Sequence, residues 1–242
     1  NIYFLGKGVT VHSSGLVENT VIDCQNASGD RGFVFEAHGS YPAETASTVI
    51  EGLTIRNGYQ YGHESKGGGI YISSASPVFN NCIIADNQVR DESGGFSYGY
   101  GGGVYAYNSS SVFTNVSFHS NEVYNFTNDD NDDAASYGGG IYVQEGSVQL
   151  LSCSFTENRV YAQDDHSDGD SWAYPRGAGI YKTGGGTLTV TDTEISGNIV
   201  DWAGHNINAM GGGVFINGGT LNIDYTIIDH NDGIYGIFHW VL

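Results

Sequence analysis

Two short runs concentrate the acid of this chain, Asn128-Asp129-Asp130-Asn131-Asp132-Asp133 and Asp164-Asp165-His166-Ser167-Asp168-Gly169-Asp170. Closely spaced carboxylates and carboxamides on a short loop supply the oxygen donors that a hard cation such as calcium takes. Asp129, Asp130, Asp132, Asp133, Asp164, Asp165, Asp168 and Asp170 are therefore the candidate metal ligands. Their spacing follows neither the EF-hand loop nor a calcium nonapeptide repeat, and a solvated acidic loop has the same composition. A second set is aromatic: Tyr71, Tyr105, Tyr142, Tyr181 and Phe215 recur behind glycine clusters, and such rings stack on sugars or on partner proteins. A third set is the Asn-x-Ser/Thr sequons at Asn26, Asn108, Asn115 and Asn125, which accept glycans in a secreted eukaryotic chain.

Groups for catalysis are harder to assemble. A polysaccharide lyase needs a cationic base, and Lys7, Lys66, Lys182, Arg31, Arg56, Arg90, Arg159 and Arg176 stand against 27 Asp plus Glu. Arg176 beside His166, Asp168 and Asp170 makes the best local cluster. A hydrolase would use two carboxylates at defined separation. The acidic pairs here (Asp129-Asp130, Asp132-Asp133, Asp164-Asp165) fall in insertions with no rigid support apparent from sequence. The histidines are scattered singly, and no nucleophile elbow, P-loop or dinucleotide fingerprint is present. A formal charge of −19 repels phosphate backbones and polyuronates alike, so nucleic acid is excluded as a partner class.

The elements that must position these residues come from a repeat. Five glycine clusters, Gly67-Gly-Gly-Ile-Tyr71, Gly101-Gly-Gly-Val-Tyr105, Gly138-Gly-Gly-Ile-Tyr142, Gly177-Ala-Gly-Ile-Tyr181 and Gly211-Gly-Gly-Val-Phe215, each lead to an asparagine. The step is 20 residues to Asn87, Asn121, Asn158 and Asn231, and 21 to Asn198, where Gly184-Gly185-Gly186 adds one. Apolar positions recur in register: Phe79, Phe113, Leu150, Val190 and Ile223; then Cys82, Val116, Cys153, Thr193 and Thr226; then Ile84, Phe118, Phe155, Ile195 and Ile228. Period-two alternation in short β-branched and aromatic runs means strands. Stacked units of this size predict a right-handed parallel β-helix of about seven coils, roughly 30–35 Å long, as a single domain over 1–242. Asparagine at the turn tolerates left-handed dihedrals and bonds coil to coil, a structural role. Cys82 and Cys153 fall in one inward stack two coils apart, too far to bridge.

The insertions 58–66, 88–100, 122–137, 159–176 and 199–210 leave every coil at one register, so they gather along one edge. Ile70 and Ile72 point inward, which turns Tyr71 and its equivalents outward. The row is then either an exposed stacking surface or is covered by the insertions. No apolar run reaches 18 residues, so this segment inserts in no membrane. A start at Asn1 inside a patterned segment reads as part of a longer chain. Apolar ends (Ile2-Tyr3-Phe4-Leu5 and the stretch after Ile234) suggest neighbouring domains or end-to-end self-association into a filament.

The pairing of Gly-Gly-Gly-Ile-Tyr with Ile84-Ala-Asp-Asn87, Phe118-His-Ser-Asn121, Phe155-Thr-Glu-Asn158, Ile195-Ser-Gly-Asn198 and Ile228-Asp-His-Asn231 resembles the repeats of chlamydial polymorphic outer membrane proteins. More loosely, the chain is similar to pectate-lyase-like β-helices. The first resemblance implies an extracellular or cell-surface location and an adhesive or structural role, with a cell-surface protein or polysaccharide as partner. The second implies the alternative, a polysaccharide-acting enzyme or carbohydrate-binding module.

Overall fold

The computed structural model describes residues 1–128, 132–165, 171–233 and the backbone of 237–240. The β-branched and aromatic triplets form short parallel strands that stack into a β-solenoid of about six turns. Each turn contributes one strand to each of three sheets. The first sheet runs through Ile2–Tyr3, Phe33–Phe35, Ile70–Ser73, Val104–Tyr107, Ile141–Gln144, Ile180–Thr183, Val214–Asn217 and Ile237–Trp240. The second carries Val78–Asn80 and Val112–Thr114, the third Ile83–Ala85 and Ser117–His119, with their equivalents above and below.

Register stacks like on like. Ile50, Phe79, Phe113, Leu150 and Val190 form one buried column, and Ile55, Ile84, Phe118, Phe155 and Ile195 another. The rings of Phe79 and Phe113 lie 4.8 Å apart, those of Phe118 and Phe155 4.3 Å apart, stacked with their planes nearly parallel. That spacing is the inter-strand distance, so a parallel ladder imposes the stack. Cys82 and Cys153 are buried free thiols with Val116 between them in the inward row, and burial pushes Cys153 up to about 11.

Three corners close each turn. Where the first sheet meets the second, Ser74, Asn108, Glu145 and Gly184 take left-handed dihedrals. Asn81, Asn115, Ser152 and Asp192 take left-handed dihedrals where the second sheet meets the third. At the third corner the left-handed residues are Asp86, Ser120, Glu157, Gly197 and His230, each one position before the repeating asparagine. The expectation that the asparagines themselves adopt this conformation is thereby corrected: the preceding residue makes the turn, which drives the asparagine side chain inward. Across the same corner the first glycine of each cluster has φ of +63° to +68°, and a Cβ there would strike the backbone carbonyl three residues on.

The asparagines form a continuous ladder. Nδ2 of Asn87, Asn121, Asn158 and Asn198 donates to Oδ1 of the next asparagine at 2.7–3.0 Å. Its second hydrogen goes to a carbonyl of the preceding turn, Ile55, Ile84, Phe118 or Phe155. Each Oδ1 from Asn121 onward also accepts the backbone N–H of the previous asparagine. All polar atoms of a buried amide are thus satisfied, which makes the ladder stabilising rather than a desolvation cost.

Lys182 is the one cation inside the solenoid among the described residues. It stands in the inward column Phe35, Ile72, Ala106, Val143, Lys182, Ile216 and is fully buried. Its Nζ donates to the carbonyls of Thr183, Gly184 and Gly185 at 2.5–3.2 Å. The residue that lengthens the fourth repeat therefore builds the carbonyl nest that receives the ammonium. Burial lowers its pKa, and Glu145 opposes the shift.

Asn158→Ala removes four hydrogen bonds from mid-ladder and strands their buried partners, so it is expected to cost about 3–5 kcal/mol. Urea unfolding of the variant should show a midpoint well below wild type, whereas an exposed control such as Gln149→Ala should change little.

Candidate functional site

The insertions form a second ordered structure, a fin standing on the solenoid. Each leaves its turn along an outgoing sheet (Tyr59–Tyr61, Gln88–Gly94, Glu122–Thr127, Arg159–Asp164, Ile199–Ala203). Four return along another: Ser65–Lys66, Ser97–Tyr100, Ala134–Tyr137 and Ala173–Arg176. The alternation that reads as acidic, aromatic loop in sequence is a strand pattern. Val89, Val123, Val160 and Val200 pack between the two sheets near the base, while Ala134, Ala162 and Ala173 fill a second cluster. Gly99 has no room for a Cβ, which would come within 2.6 Å of Val123.

The return sheet lies over the aromatic row. Tyr71, Tyr105, Tyr142, Tyr181 and Phe215 stack face to face at 5.0–5.5 Å. Tyr100 and Tyr137 close against them, at 5.0 Å from Tyr142 and 4.8 Å from Tyr181. Arg176 lies over Phe215 and Tyr174, while His166, Asp168 and Asp170, expected beside it, lie outside the described residues; Lys66 lies over Tyr100 and Tyr105. Tyr105, Tyr142, Tyr181 and Phe215 are consequently buried, and the row is a seam holding fin to solenoid, not a sugar-stacking surface. Tyr71, at its end, stays half-exposed.

The face turned to solvent is the outer side of the outgoing sheet, which sequence reading missed. Tyr61, Arg90, Tyr124, Tyr161 and Asp201 share one register. Tyr124 and Tyr161 stack at 4.7 Å, with the Arg90 guanidinium 4.3 Å from the Tyr124 ring and that of Arg159 5.1 Å from Tyr161. Arg159 also pairs with Glu122 at 3.1 Å and Asp201 at 2.5 Å. Further out the fin exposes Phe96, Trp172 and Trp202, each 37–45% accessible. The available signal was the period-two alternation of Glu122-Val-Tyr-Asn-Phe and Arg159-Val-Tyr-Ala-Gln, which marks strands rather than loops.

Of the acidic candidates, Asp129, Asp130, Asp168 and Asp170 lie outside the described residues. Asp132, Asp133 and Asp164 draw together at the fin's far end, and Asp165 is exposed. Burial raises the Asp133 carboxyl, with Asp164 and Asp132 adding to it and the Trp172 N–H, at 2.9 Å, opposing. Among the described residues no group of three His, Cys, Asp or Glu side chains is placed to hold a metal ion.

The sequons divide. Asn26, Asn108 and Asn115 stand exposed at left-handed corner positions. Asn125 does not: it is fully buried inside the fin, its Nδ2 donating to the Ala135 carbonyl and to Ser136 Oγ. Its expected role as a glycan acceptor is overturned, because the nitrogen that would carry the sugar is already bonded between the sheets.

No family model matches the chain, and neither a curated protein nor a solved structure matches it.

Two outcomes follow from this geometry. Burial raises the pKa of Tyr100 to about 12 and raises those of Tyr105, Tyr137, Tyr142 and Tyr181 as well. Groups that hold their proton more tightly folded than unfolded contribute stability below about pH 10 and lose it as pH rises through the folded values, each by up to about 1.4 kcal/mol per pH unit. The lowered Lys182 and Arg31 act in the opposite sense but are outnumbered. Alkaline titration should therefore show the seam tyrosines ionising cooperatively above pH 10, as absorbance at 295 nm, together with loss of near-ultraviolet dichroism; Tyr142→Phe should move that transition upward. Peptide mapping of protein secreted from eukaryotic cells should find Asn125 unmodified in the folded fraction, with any glycan confined to Asn26, Asn108 and Asn115.

Proposed function

We propose that this chain is a non-catalytic structural and adhesive module of the cell exterior, a rigid β-helix that carries a binding fin. The observation that supports it most is the fin's outer face. Insertions of five successive turns lie there as parallel strands, presenting Tyr61, Arg90, Tyr124, Tyr161 and Asp201 in one row. Tyrosine, tryptophan and arginine are the residues that dominate protein-binding surfaces, because they offer large contact area with few rotors to freeze. Here cation–π contacts and the Glu122–Arg159–Asp201 pairs hold them before any partner arrives, which reduces the ordering cost of binding. The resemblance of the glycine and asparagine motifs to polymorphic outer membrane protein repeats supports the same reading, as do the exposed sequons. The partner is a cell-surface protein or polysaccharide that contacts the fin.

Labelled protein is expected to bind intact cell surfaces saturably. Arg90→Ala combined with Tyr124→Ala should weaken that binding at least about tenfold, the loss of about 1.4 kcal/mol or more typical of a contact at the centre of an interface. The unfolding midpoint serves as control. Turnover of neutral or acidic polysaccharides, followed by unsaturated or reducing-end products, should stay at background; steady product release would instead favour the enzyme reading.

A further inference from the structure

Where the fin stops covering the aromatic row, a cleft of about 460 Å³ opens beside Tyr71. Arg31, Glu36, Gln60, Glu64 and Lys66 line it together with Tyr71. The volume is that of an ordinary small-molecule site. Arg31 is unlike the other arginines for which a carboxylate partner is seen: Arg56, Arg90 and Arg159 each reach one at 2.5–3.1 Å. Arg31 instead donates to the Gln60 carboxamide and lies 5.3 Å from the Tyr71 ring. Burial lowers its pKa, offset in part by Tyr3, Tyr71 and Glu36. In a chain with 27 acidic side chains, a desolvated guanidinium without an ion pair among the described residues is poised for a carboxylate from elsewhere.

The remaining lining says what else that ligand carries. Glu36 and Glu64 are acceptors, Gln60 offers both an acceptor and donors, and Lys66 pairs loosely with Glu64 at 3.8 Å. A bare anion has no use for carboxylates around it. A molecule that joins one carboxylate to several hydroxyls uses both kinds of group, the guanidinium for its charge and the carboxylates and carboxamide for its hydroxyl hydrogens. We propose that this cleft binds the acidic sugar unit of a surface glycan, a uronate or sialate residue, with its carboxylate on Arg31 and its hydroxyls on Glu36, Gln60 and Glu64. The proposal rests on the adhesive reading and names one ligand class for it. The strongly negative chain disfavours polyanions at long range, so the site takes an isolated acidic sugar and rejects a continuous polyuronate.

The test is a titration, by heteronuclear NMR or calorimetry, with methyl glucuronide, the methyl glycoside of N-acetylneuraminate, methyl glucoside, acetate and polygalacturonate. Saturable binding of at least one acidic glycoside is expected, with methyl glucoside and acetate weaker by at least about tenfold and polygalacturonate weaker still. Arg31→Gln should reduce it at least about tenfold, as removal of a charge-paired hydrogen bond does, and Gln60→Ala should also weaken it. Arg56→Ala, which removes a guanidinium paired with Asp23 outside the cleft, should leave it unchanged. Unfolding midpoints show which variants are folded, and Gln60→Ala serves if Arg31→Gln is not. Failure of both acidic glycosides to bind, equal binding of methyl glucoside or acetate, or indifference to both cleft variants overturns the proposal. Acidic-sugar binding without adherence to cells would leave the cleft standing and remove the adhesive reading alone.

Discussion

At the corner where each turn ends, backbone amides and carbonyls of successive turns come together out of reach of water. The chain must leave that corner, make an excursion of up to 18 residues (159–176), and return to it in register. A carboxamide meets the demand, because two hydrogens and two lone pairs on one short side chain can serve the turn below, its own level and the turn above. Repeated at Asn87, Asn121, Asn158, Asn198 and Asn231, it converts isolated polar groups into a chain of mutually polarising bonds. Aspartate would lose the donors and bury a charge, and a glutamine would overreach. The left-handed residue before each asparagine and the glycine cluster beside it supply the space and direction that let the amide point inward.

Because that corner is held at the same position in every turn, the insertions inherit its register. Stacked at the inter-strand spacing, they complete one another's hydrogen bonds and become sheets. The seam of Tyr105, Tyr142, Tyr181 and Phe215 has the same origin: identical registers bring like rings together, and the return sheet then covers them. What remains for solvent is the opposite side of the outgoing sheet and the cleft where the cover ends. A candidate adhesive face and a candidate ligand cleft thus arise from one constraint, without any residue of the solenoid core taking part.

Lys182 shows how far the repeat tolerates departure. The core column that elsewhere holds Ile72, Val143 and Ile216 admits an ammonium because one additional glycine turns three carbonyls toward it. A charge at that depth without those oxygens would cost several kcal/mol. The irregularity and the compensation lie within four residues of each other, and neither disturbs the ladder of Asn158 and Asn198 on the far corner.

The solenoid, its inward columns and the bonding asparagines could be read from the order of residues alone, because a parallel stack repeats one local environment and therefore one local pattern. Phe79 over Phe113 and Cys82 two levels from Cys153 need no coordinates, only a constant step. The fin could not be read that way. Its strands have no partner within their own insertion, so period-two alternation in 122–126 or 159–163 has meaning only once the turns are stacked. For the same reason Tyr142 and Tyr161, both tyrosines in short strands, have opposite fates, one sealed beneath the return sheet and the other facing water. Asn125, a sequon by sequence and an interior hydrogen-bond donor in the fold, carries the same lesson. Local pattern determines which strands exist, whereas which side of a strand meets solvent depends on whatever chain, remote in sequence, comes to lie against it.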